Sequence, residues 1–370
     1  MAFTASTWGQ GRLLTGLSPG SSLSGFTAVI TKDNLPTSAL DTGPLSGLNG
    51  GGDFYFATDI NGANQLPAQI VTCVTNATAS STEFEAEIRF PTYASGTRSV
   101  YAFWNKAGQS QPLPGAAFGS EEVWQDNLIA AHLEESSGST ATDSAGNRNG
   151  TYNGSLPTVG ANFGQDLNGT SDYVNFGNAA LGIASAFTFS LKVRTDTIGS
   201  NQQLFTSDDS NTANRHWQWR IDAAGTVGII PFDSSGSVIF GSSGSTVLSA
   251  ATEYILDFVW TASAYKSYIN GVEDLSVAST TNIGDLTGAG FGAAIGAREA
   301  SGGAKADLFN GQAGELRVVA GAYLTADYIA SKSANQLNPS TFWTAGTVFV
   351  PGGTTLTITN IMNQYRQRRV

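Results

Sequence analysis

Short runs in which apolar and polar residues alternate recur along this chain, separated by turns rich in glycine, asparagine and serine. Every second residue of Phe187–Val193 is apolar, which is typical of a half-buried strand. The Asn270-Gly271 pair between two further runs is a strong hairpin signal. A helical period is convincing only in 324–337, where Thr325 is placed to be the N-cap. The pattern predicts an all-β protein.

The runs group into two antiparallel β-sandwich domains. Five runs predict the strands of a small first sandwich: 26–36, 50–59, 69–78, 83–91 and 98–105. We expect an N-terminal arm, a small sandwich, a linker rich in proline and glycine, a second sandwich, and a C-terminal hairpin with a basic tail. Their respective bounds are 1–21, 22–107, 108–122, 123–346 and 347–370.

Composition excludes several classes of protein. The net charge of −11 over 370 residues opposes wrapping of nucleic acid, whose phosphates the surface would repel. Cys73 is the single cysteine, so no intrachain disulfide and no cysteine-based zinc site is expected. It lies in an apolar run and is interpreted as a small core residue. No apolar run approaches 18 residues, which excludes membrane insertion. The first residues lack a secretory signal pattern, so we expect synthesis in a cytoplasm without export by the usual route.

The order of segments after residue 130 resembles a known family. HLEESSGSTATDSAGNRNGTYNGS, GQDLNGTSDYVNFGN and AFTFSLKVRTD resemble the opening of laminin-G-like modules of the concanavalin A superfamily. YKSYINGVED, FNGQAGELRVVAGAYLTADYIAS and NQLNPSTFWTAG resemble its closing pattern. The resemblance implies that the second sandwich is a concanavalin A-like jelly roll. Such modules bind sugars, proteins or calcium, so it does not imply one activity.

The upstream segments resemble an uncharacterised bacterial and phage domain that often precedes such a module. They are GGGDFYFATDINGANQLPAQI and FEAEIRFPTYASGTRSVYAFWNKAG. Together the two resemblances cover about 22–346. They favour a phage structural protein.

Two interpretations compete for the polar segment that begins the second domain. Ile129 and Leu133 would face the core, with His132 and Glu134 on the other side of a strand. Asp143 begins an Asp-Ser-Ala-Gly-Asn sequence whose composition favours a turn, because Asp and Asn side chains cap their own backbone. The alternative is a calcium ion held by Asp143 and nearby carbonyl oxygens. No cofactor is required, and calcium is the one ligand ion considered.

The most enzyme-like pattern is the acidic run Glu83-Phe84-Glu85-Ala86-Glu87. Its carboxylates share one strand face, and glycosidases of the concanavalin fold use a similar strand. The run lies in the first domain, however, so an acidic, solvent-facing strand that discourages edge pairing is favoured. The second domain offers Glu134, Glu253, Asp257 and Glu315, which show no catalytic spacing. We therefore predict that the protein is not an enzyme.

Two surfaces are candidates for binding. Trp217 and Trp219 share one strand face and are predicted to be core. His216, Gln218 and Arg220 would then form an outward polar row, the candidate ligand-binding residues. A docking tail is predicted from four residues near the C-terminus: Tyr365, Arg366, Arg368 and Arg369.

These observations predict a non-enzymatic phage virion protein, made in the host cytoplasm and placed on the particle exterior. It would be a capsid decoration, head fibre or tail-associated protein, attached through its ends by strand addition and charge. Expected partners are other virion proteins, further copies of the chain as a homo-oligomer, and host surface glycans. The alternatives are a glycan-active hydrolase of the same fold and a bacterial adhesin exported by a non-classical route.

Overall fold

The computed structural model describes residues 5–352 except 162 and 210, and its regular structure is predominantly β-strand. No helix in this part of the chain is both long enough and apolar enough to cross a membrane.

Six strands and a short helix come first along the chain: β1 (Gln10–Gly16), β2 (Leu23–Thr31), β3 (Tyr55–Ala57), β4 (Ala68–Val74), β5 (Glu83–Tyr93), β6 (Ser99–Trp104) and α1 (Ser120–Val123). Eighteen strands follow: β7 (Ile129–Ala131), β8 (Thr140–Ala141), β9 (Gly150–Asn153), β10 (Gln165–Asn168), β11 (Tyr173–Asn175), β12 (Phe187–Thr195), β13 (Gln202–Gln203), β14 (Phe205–Thr206), β15 (Trp217–Ile221), β16 (Thr226–Pro231), β17 (Ser242–Val247), β18 (Glu253–Trp260), β19 (Ala264–Ile269), β20 (Val272–Ala278), β21 (Ala294–Ile295), β22 (Arg298–Glu299), β23 (Lys305–Ala306) and β24 (Asn310–Ala320). The described chain ends with α2 (Ala326–Leu337), α3 (Pro339–Phe342) and β25 (Trp343–Phe349).

The first sandwich packs two antiparallel sheets face to face. One has the order β25-β1-β6-β3 and the other β2-β5-β4. Aromatic side chains from both sheets, among them Phe26, Phe90 and Trp104, are fully buried between them. All five strands predicted between 26 and 105 are present, which confirms the small β-sandwich.

The N-terminal segment differs from the predicted arm, because β1 lies in the middle of a sheet between β25 and β6. Its glycines permit close ring packing. A Cβ on Gly11 would lie 2.6 Å from the Phe349 ring, and one on Gly16 would lie 2.2 Å from the Tyr93 hydroxyl. Glycine therefore marks close approach here rather than a flexible arm.

The first sandwich is completed by residues from the other end of the chain. Tyr328, Phe342 and Trp343 are buried in its core, and β25 pairs with β1. The predicted second domain, 123–346, is therefore shorter in the structure, and residues 124–323 are inserted between two parts of the first sandwich. We call 124–323 the inserted domain. The two places where the chain passes from one domain to the other lie close together, since Gln125–Asn127 and Ala322–Leu324 line one cavity.

The inserted domain is a jelly roll of antiparallel strands. A sheet of order β10-β24-β12-β18-β19-β20, with β7 also paired to β24, shares a core with the sheets β14-β21-β11-β9-β8 and β13-β15-β16-β17. Trp217 and Trp219 are fully buried there, as predicted. The Asn270-Gly271 turn is also confirmed, with φ values of 52° and 87°, the left-handed pair of a tight hairpin.

Helix α2 lies between the two domains. Its predicted N-cap is confirmed, because the Thr325 side chain accepts the Tyr328 N–H at 3.3 Å. Towards the first sandwich, Asn335 accepts the Val29 N–H at 2.6 Å and donates to the Val29 carbonyl at 3.0 Å. Since β2 is an edge strand, these bonds satisfy backbone groups that pairing leaves open.

The opposite face of α2 contacts the inserted domain. Lys332 is fully buried and forms an ion pair with Asp257 on β18 and a hydrogen bond with Ser190 on β12. Ile329 packs with Val259 and Tyr268. The helix therefore fixes the position of one domain on the other.

Candidate functional site

A surface groove of about 210 Å³ lies on the inserted domain. We call it the charged groove, because most of its lining side chains are ionisable: Asp208, Asp209, Thr212, Arg215, Arg298, Glu299 and Ala300. The first four come from the loop after β14 and the last three from the β22–β23 hairpin. The two segments are joined where the Glu299 N–H donates to the Asp208 carbonyl at 2.9 Å.

Asp208 is the centre of the charged groove. Its side chain is 2% exposed, and one oxygen accepts Arg215 Nε–H at 2.6 Å. The other accepts Gln218 Nε2–H at 2.5 Å and lies 4.0 Å from Arg298 Nη1. Arg298 also donates from Nε to Asp307 at 2.6 Å. The two guanidinium groups are thus held in place by buried or half-buried carboxylates.

Two acids of the charged groove are held by further partners. Lys305 pairs with Glu299 at 2.6 Å and lies over the Phe291 ring, 4.2 Å from its centroid. The Phe291 N–H donates to Asp209 at 2.8 Å. Arg215 and Arg298 keep 31% and 28% of their side-chain surface exposed. Such a site offers charged donors and acceptors to the hydroxyl groups of a polyol.

The predicted binding row His216, Gln218 and Arg220 lies behind this groove. The prediction that these side chains point outward is wrong for His216 and Gln218, which are only 2% and 5% exposed. Loops cover this face of β15, and Gly284 lies against His216. Burial lowers the pKa of His216 below its usual value, which favours the neutral ring. Arg220 is half-buried and donates to Gln218 Oε1 at 2.9 Å.

Gln218 therefore supports the groove from beneath and links Arg220 to Asp208. Sequence reasoning missed Asp208, Arg215 and Arg298. The one available signal was two adjacent aspartates a few residues before the strand that carries the tryptophans.

Asp143 holds a turn, as the first of its two interpretations predicts. One oxygen accepts the Ala130 and Ala145 N–H groups at 2.8 and 3.0 Å. The other accepts those of Asn147 and Arg148 at 2.8 and 2.7 Å. Within the described residues no group of three or more His, Cys, Asp or Glu side chains is arranged to hold a metal ion. A calcium ion at Asp143 would compete with four N–H donors, and calcium stays a prediction.

The predicted docking residues Tyr365, Arg366, Arg368 and Arg369 lie outside the described residues, as does the second half of the predicted hairpin.

A second cluster of ionisable groups lies between the domains. Glu85, Glu134 and Glu315 line one cavity of about 180 Å³ together with His132 and Lys192. Burial, followed by the charges of Glu134 and Glu315, raises the pKa of Glu85 to about 7. Burial also raises the pKa of Glu134. We call these three acids the carboxylate cluster.

Glu315 behaves in the opposite way. Burial acts to raise the pKa of Glu315. The charge of Arg317, which donates to Glu315 from Nε at 2.6 Å, and other positive charges nearby together lower it. Gln336 of α2 donates to its other oxygen at 2.5 Å. His132 lies beside the cluster with Nε2 at 3.3 Å from Gln69 Oε1, and burial lowers its pKa.

The acidic strand is not the solvent-facing edge that the sequence predicted. The acidic run belongs to β5, which is the central strand of its sheet. Glu87 is fully buried, and its Oε1 lies 3.0 Å from Arg317 Nη2. Burial raises the pKa of Glu87 well above its usual value, and the Arg317 charge opposes this. The prediction fails because Glu87 pairs with Arg317, which lies in the inserted domain 230 residues further along the sequence.

Cys73 is half-buried against the core of the first sandwich. Burial, followed by the charge of Asp53, raises the pKa of its thiol to about 11. The thiol therefore stays protonated at neutral pH, which disfavours a nucleophilic role.

The family comparison concerns the inserted domain. Residues 168–330 match the Laminin_G_3 family, described as the concanavalin A-like lectin/glucanases superfamily. The inserted domain is a concanavalin A-like domain. The match confirms the resemblance for this part of the chain, while the upstream resemblance stays a prediction. A search of curated proteins gives no match.

Three solved structures are similar to parts of this chain. Domain 4 of the arabinanase AbnA from Geobacillus stearothermophilus, determined with arabinotriose, is 20% identical over 56% of this chain and 98% of its own, with a TM-score of 0.42. The botulinum neurotoxin serotype D binding domain is 14% identical over 57% of this chain, with a TM-score of 0.42, and the chain spans 51% of its length. A sialidase NanB structure from Streptococcus pneumoniae is 19% identical over 45% of this chain and 26% of its own, with a TM-score of 0.34.

Proposed function

We propose that this chain is a non-enzymatic structural protein of a phage particle, and that its concanavalin A-like domain binds glycans of the host surface. It would serve on the particle exterior as a capsid decoration, head fibre or tail-associated protein. The observation that carries the glycan-binding part is the concanavalin A-like domain itself, whose family includes lectins.

The charged groove is the place on this domain that suits hydroxyl-rich ligands best. Its carboxylates accept and its guanidinium groups donate, and each is fixed by a partner before a ligand arrives. Preorganised polar groups lose little side-chain entropy on binding. Weak binding by many copies on one particle would give a strong combined attachment.

The attachment of this domain supports a display role. The concanavalin A-like domain is inserted into the sequence of the first sandwich. Helix α2 forms a hydrogen bond with the first sandwich and an ion pair with the inserted domain. A domain fixed in this way keeps its groove in a constant direction relative to its base. The base offers β25, which pairs with β1 on one side and is an edge strand among the described residues. An edge of this kind accepts a strand from a neighbouring virion protein or another copy.

One observation favours a second candidate, a glycan-active hydrolase. The carboxylate cluster contains acids whose pKa values are raised and one whose pKa is lowered, as in sites that combine a general acid with a base. One fact opposes it: Glu315 is already held by Arg317 and Gln336.

The test begins with binding of the whole protein to an array of bacterial surface glycans. We expect binding that falls at least tenfold when Arg215 and Arg298 are both replaced by Ala. The matched control is Arg194→Ala on the same domain, which breaks an exposed pair with Asp196 at 2.6 Å. Equal binding by both variants, or no binding by the wild type, would contradict the proposed site.

Two further measurements address the other parts of the proposal. A cryo-EM map of the particle should place the first sandwich against a neighbouring subunit and the concanavalin A-like domain outward. Incubation of a bound glycan with the wild type should release no reducing ends. Release that Glu134→Gln abolishes would instead establish the hydrolase.

A further inference from the structure

The first sandwich has a larger groove of its own, about 600 Å³ in volume. Three segments form it: the loop after β3, the adjoining ends of β5 and β6 with the turn between them, and Phe118 of the linker. Its lining contains no ionisable side chain among the described residues: Thr58, Ala63, Asn64, Gln65, Leu66, Pro91, Thr92, Gly96, Thr97, Ser99 and Phe118. We call it the neutral groove.

Four polar side chains of the neutral groove are available to a ligand, whereas the hydroxyls of Thr97 and Ser99 bond within the protein. In the described chain, no hydrogen bond involves the side-chain amides of Asn64 and Gln65 or the hydroxyls of Thr58 and Thr92. Amides and hydroxyls both donate and accept, which matches the hydroxyl groups of a sugar.

The loop that carries these amides is fixed in shape. The Asp59 carboxylate accepts the backbone N–H groups of Asn61, Ala63 and Asn64 at 2.9, 3.1 and 2.7 Å. The Thr58 N–H also donates to the Asn64 carbonyl at 3.0 Å. The groove is therefore formed before a ligand binds, and ordering the loop costs no affinity.

Phe118 contributes an aromatic ring in a strained position. Its φ is 67°, in the left-handed region that a bulky side chain rarely adopts, and 38% of the residue is exposed. Its carbonyl accepts the Ala68 N–H at 3.3 Å, which ties this backbone to the start of β4. Core packing does not explain an exposed ring on strained backbone, and strain of this kind is concentrated at binding sites.

We propose that the neutral groove binds an uncharged oligosaccharide, with the Phe118 ring stacked on a sugar face and Asn64 and Gln65 bonded to its hydroxyls. A charged ligand would lose hydration without gaining a counter-charge here. This site lies on a different domain from the charged groove and does not depend on the function proposed above.

A peptide strand is disfavoured as the occupant, although the groove borders edge strand β3. The chain's own loop already covers that edge. Ala57 forms a β-bridge with Gln65, and the Leu66 N–H donates to the Phe56 carbonyl at 2.8 Å. Strand addition would have to break this pairing.

The test is isothermal titration of the full chain with neutral oligomers of glucose, mannose and N-acetylglucosamine, and with an extended peptide library. We expect at least one neutral oligomer to bind, with affinity at least tenfold weaker in Asn64→Ala/Gln65→Ala and in Phe118→Gly. Because glycine relieves the positive φ, Phe118→Gly should retain or raise the Tm while it loses binding. This result separates a stacking ring from a structural one.

Arg194→Ala on the inserted domain serves as the control and should bind the neutral oligomer as the wild type does. Failure of the charged groove would leave this result unchanged, so the two proposals can fail separately. Full affinity in Phe118→Gly, binding of peptides in place of sugars, or no binding of any neutral oligomer would overturn the assignment.

Discussion

Three glutamates at alternate positions of β5 occupy three different environments. Glu83 is exposed, Glu85 is half-buried beside two other carboxylates, and Glu87 is fully buried against Arg317. The difference arises because β5 runs from the surface into the contact between the domains. At the residue scale, a regular sequence pattern therefore produces one solvated acid and two whose protonation is linked to folding.

Glu85 predicts a loss of stability as pH rises. The folded protein holds its proton up to about pH 7, whereas the usual pKa is 4.5, so between these values the folded state binds more protons than the unfolded chain. Stability from this group is present below pH 4.5 and is lost as pH rises through 7. Glu85→Gln should remove that loss and raise the free energy of unfolding at pH 8 by on the order of 2 kcal/mol.

The measurement is urea unfolding at intervals from pH 4 to pH 8, with Glu83→Gln on the exposed end of the same strand as the control. The control should keep the wild-type dependence on pH. If Glu85→Gln kept the wild-type dependence of stability on pH, the carboxylate cluster would be solvated and would not affect the contact between the two domains.

At the element scale, α2 is the main connection between the first sandwich and the inserted domain. It presents an amide to the edge of β2 and an ammonium group to β18, and both groups are buried. Burial lowers the pKa of Lys332, and the Asp257 charge opposes this. Removing one member of such a pair leaves the other charge buried without compensation.

Lys332→Met should lower the free energy of unfolding by about 3–5 kcal/mol, and Lys332→Met/Asp257→Leu should recover most of that loss. The control is Lys266→Met, which breaks a half-exposed pair with Glu273 at 2.7 Å and should cost about 1 kcal/mol or less. Urea unfolding of the four proteins gives the comparison. Equal losses in the single and double variants would mean that Asp257 does not depend on Lys332.

Elements with a local signal could be predicted from the sequence. The alternation of β12, the Asn270-Gly271 turn and the Thr325 cap of α2 all depend on neighbours within a few residues. Long-range pairings could not be predicted in this way. The pairing of β1 with β25 and of Glu87 with Arg317 joins segments hundreds of residues apart, and no local period encodes either.

The candidate site shows the same limit. Gln218 was among the predicted binding residues, but its partner Asp208 lies on a separate loop, and Arg298 comes from a hairpin about 80 residues further along the chain. Only the closure of the jelly roll brings the three together.

At the scale of the whole molecule, the first sandwich is made from both ends of the described chain. The concanavalin A-like domain interrupts it after residue 123, and the chain returns at 324 to supply α2, α3 and β25. Folding of the base therefore depends on contacts made after the inserted domain has been synthesised. This arrangement also places both connections of the inserted domain at one point, beside α2.

The discontinuous base predicts how fragments behave. A fragment of residues 1–122 lacks Tyr328, Phe342 and Trp343, which are buried in its core, and it lacks the β25 partner of β1. It should show no cooperative thermal transition.

The same fragment joined by a short Gly/Ser linker to residues 324–352 should recover one, because Gln125–Asn127 and Ala322–Leu324 lie around a common cavity that a few linker residues can span. Trp343→Ala in this joined fragment should abolish the transition again, since a buried Trp→Ala change costs about 3–5 kcal/mol. Circular dichroism in the near ultraviolet, followed against temperature, measures all three. A cooperative transition in residues 1–122 alone would mean that the N-terminal strands form a complete core and that the C-terminal segment only packs onto it.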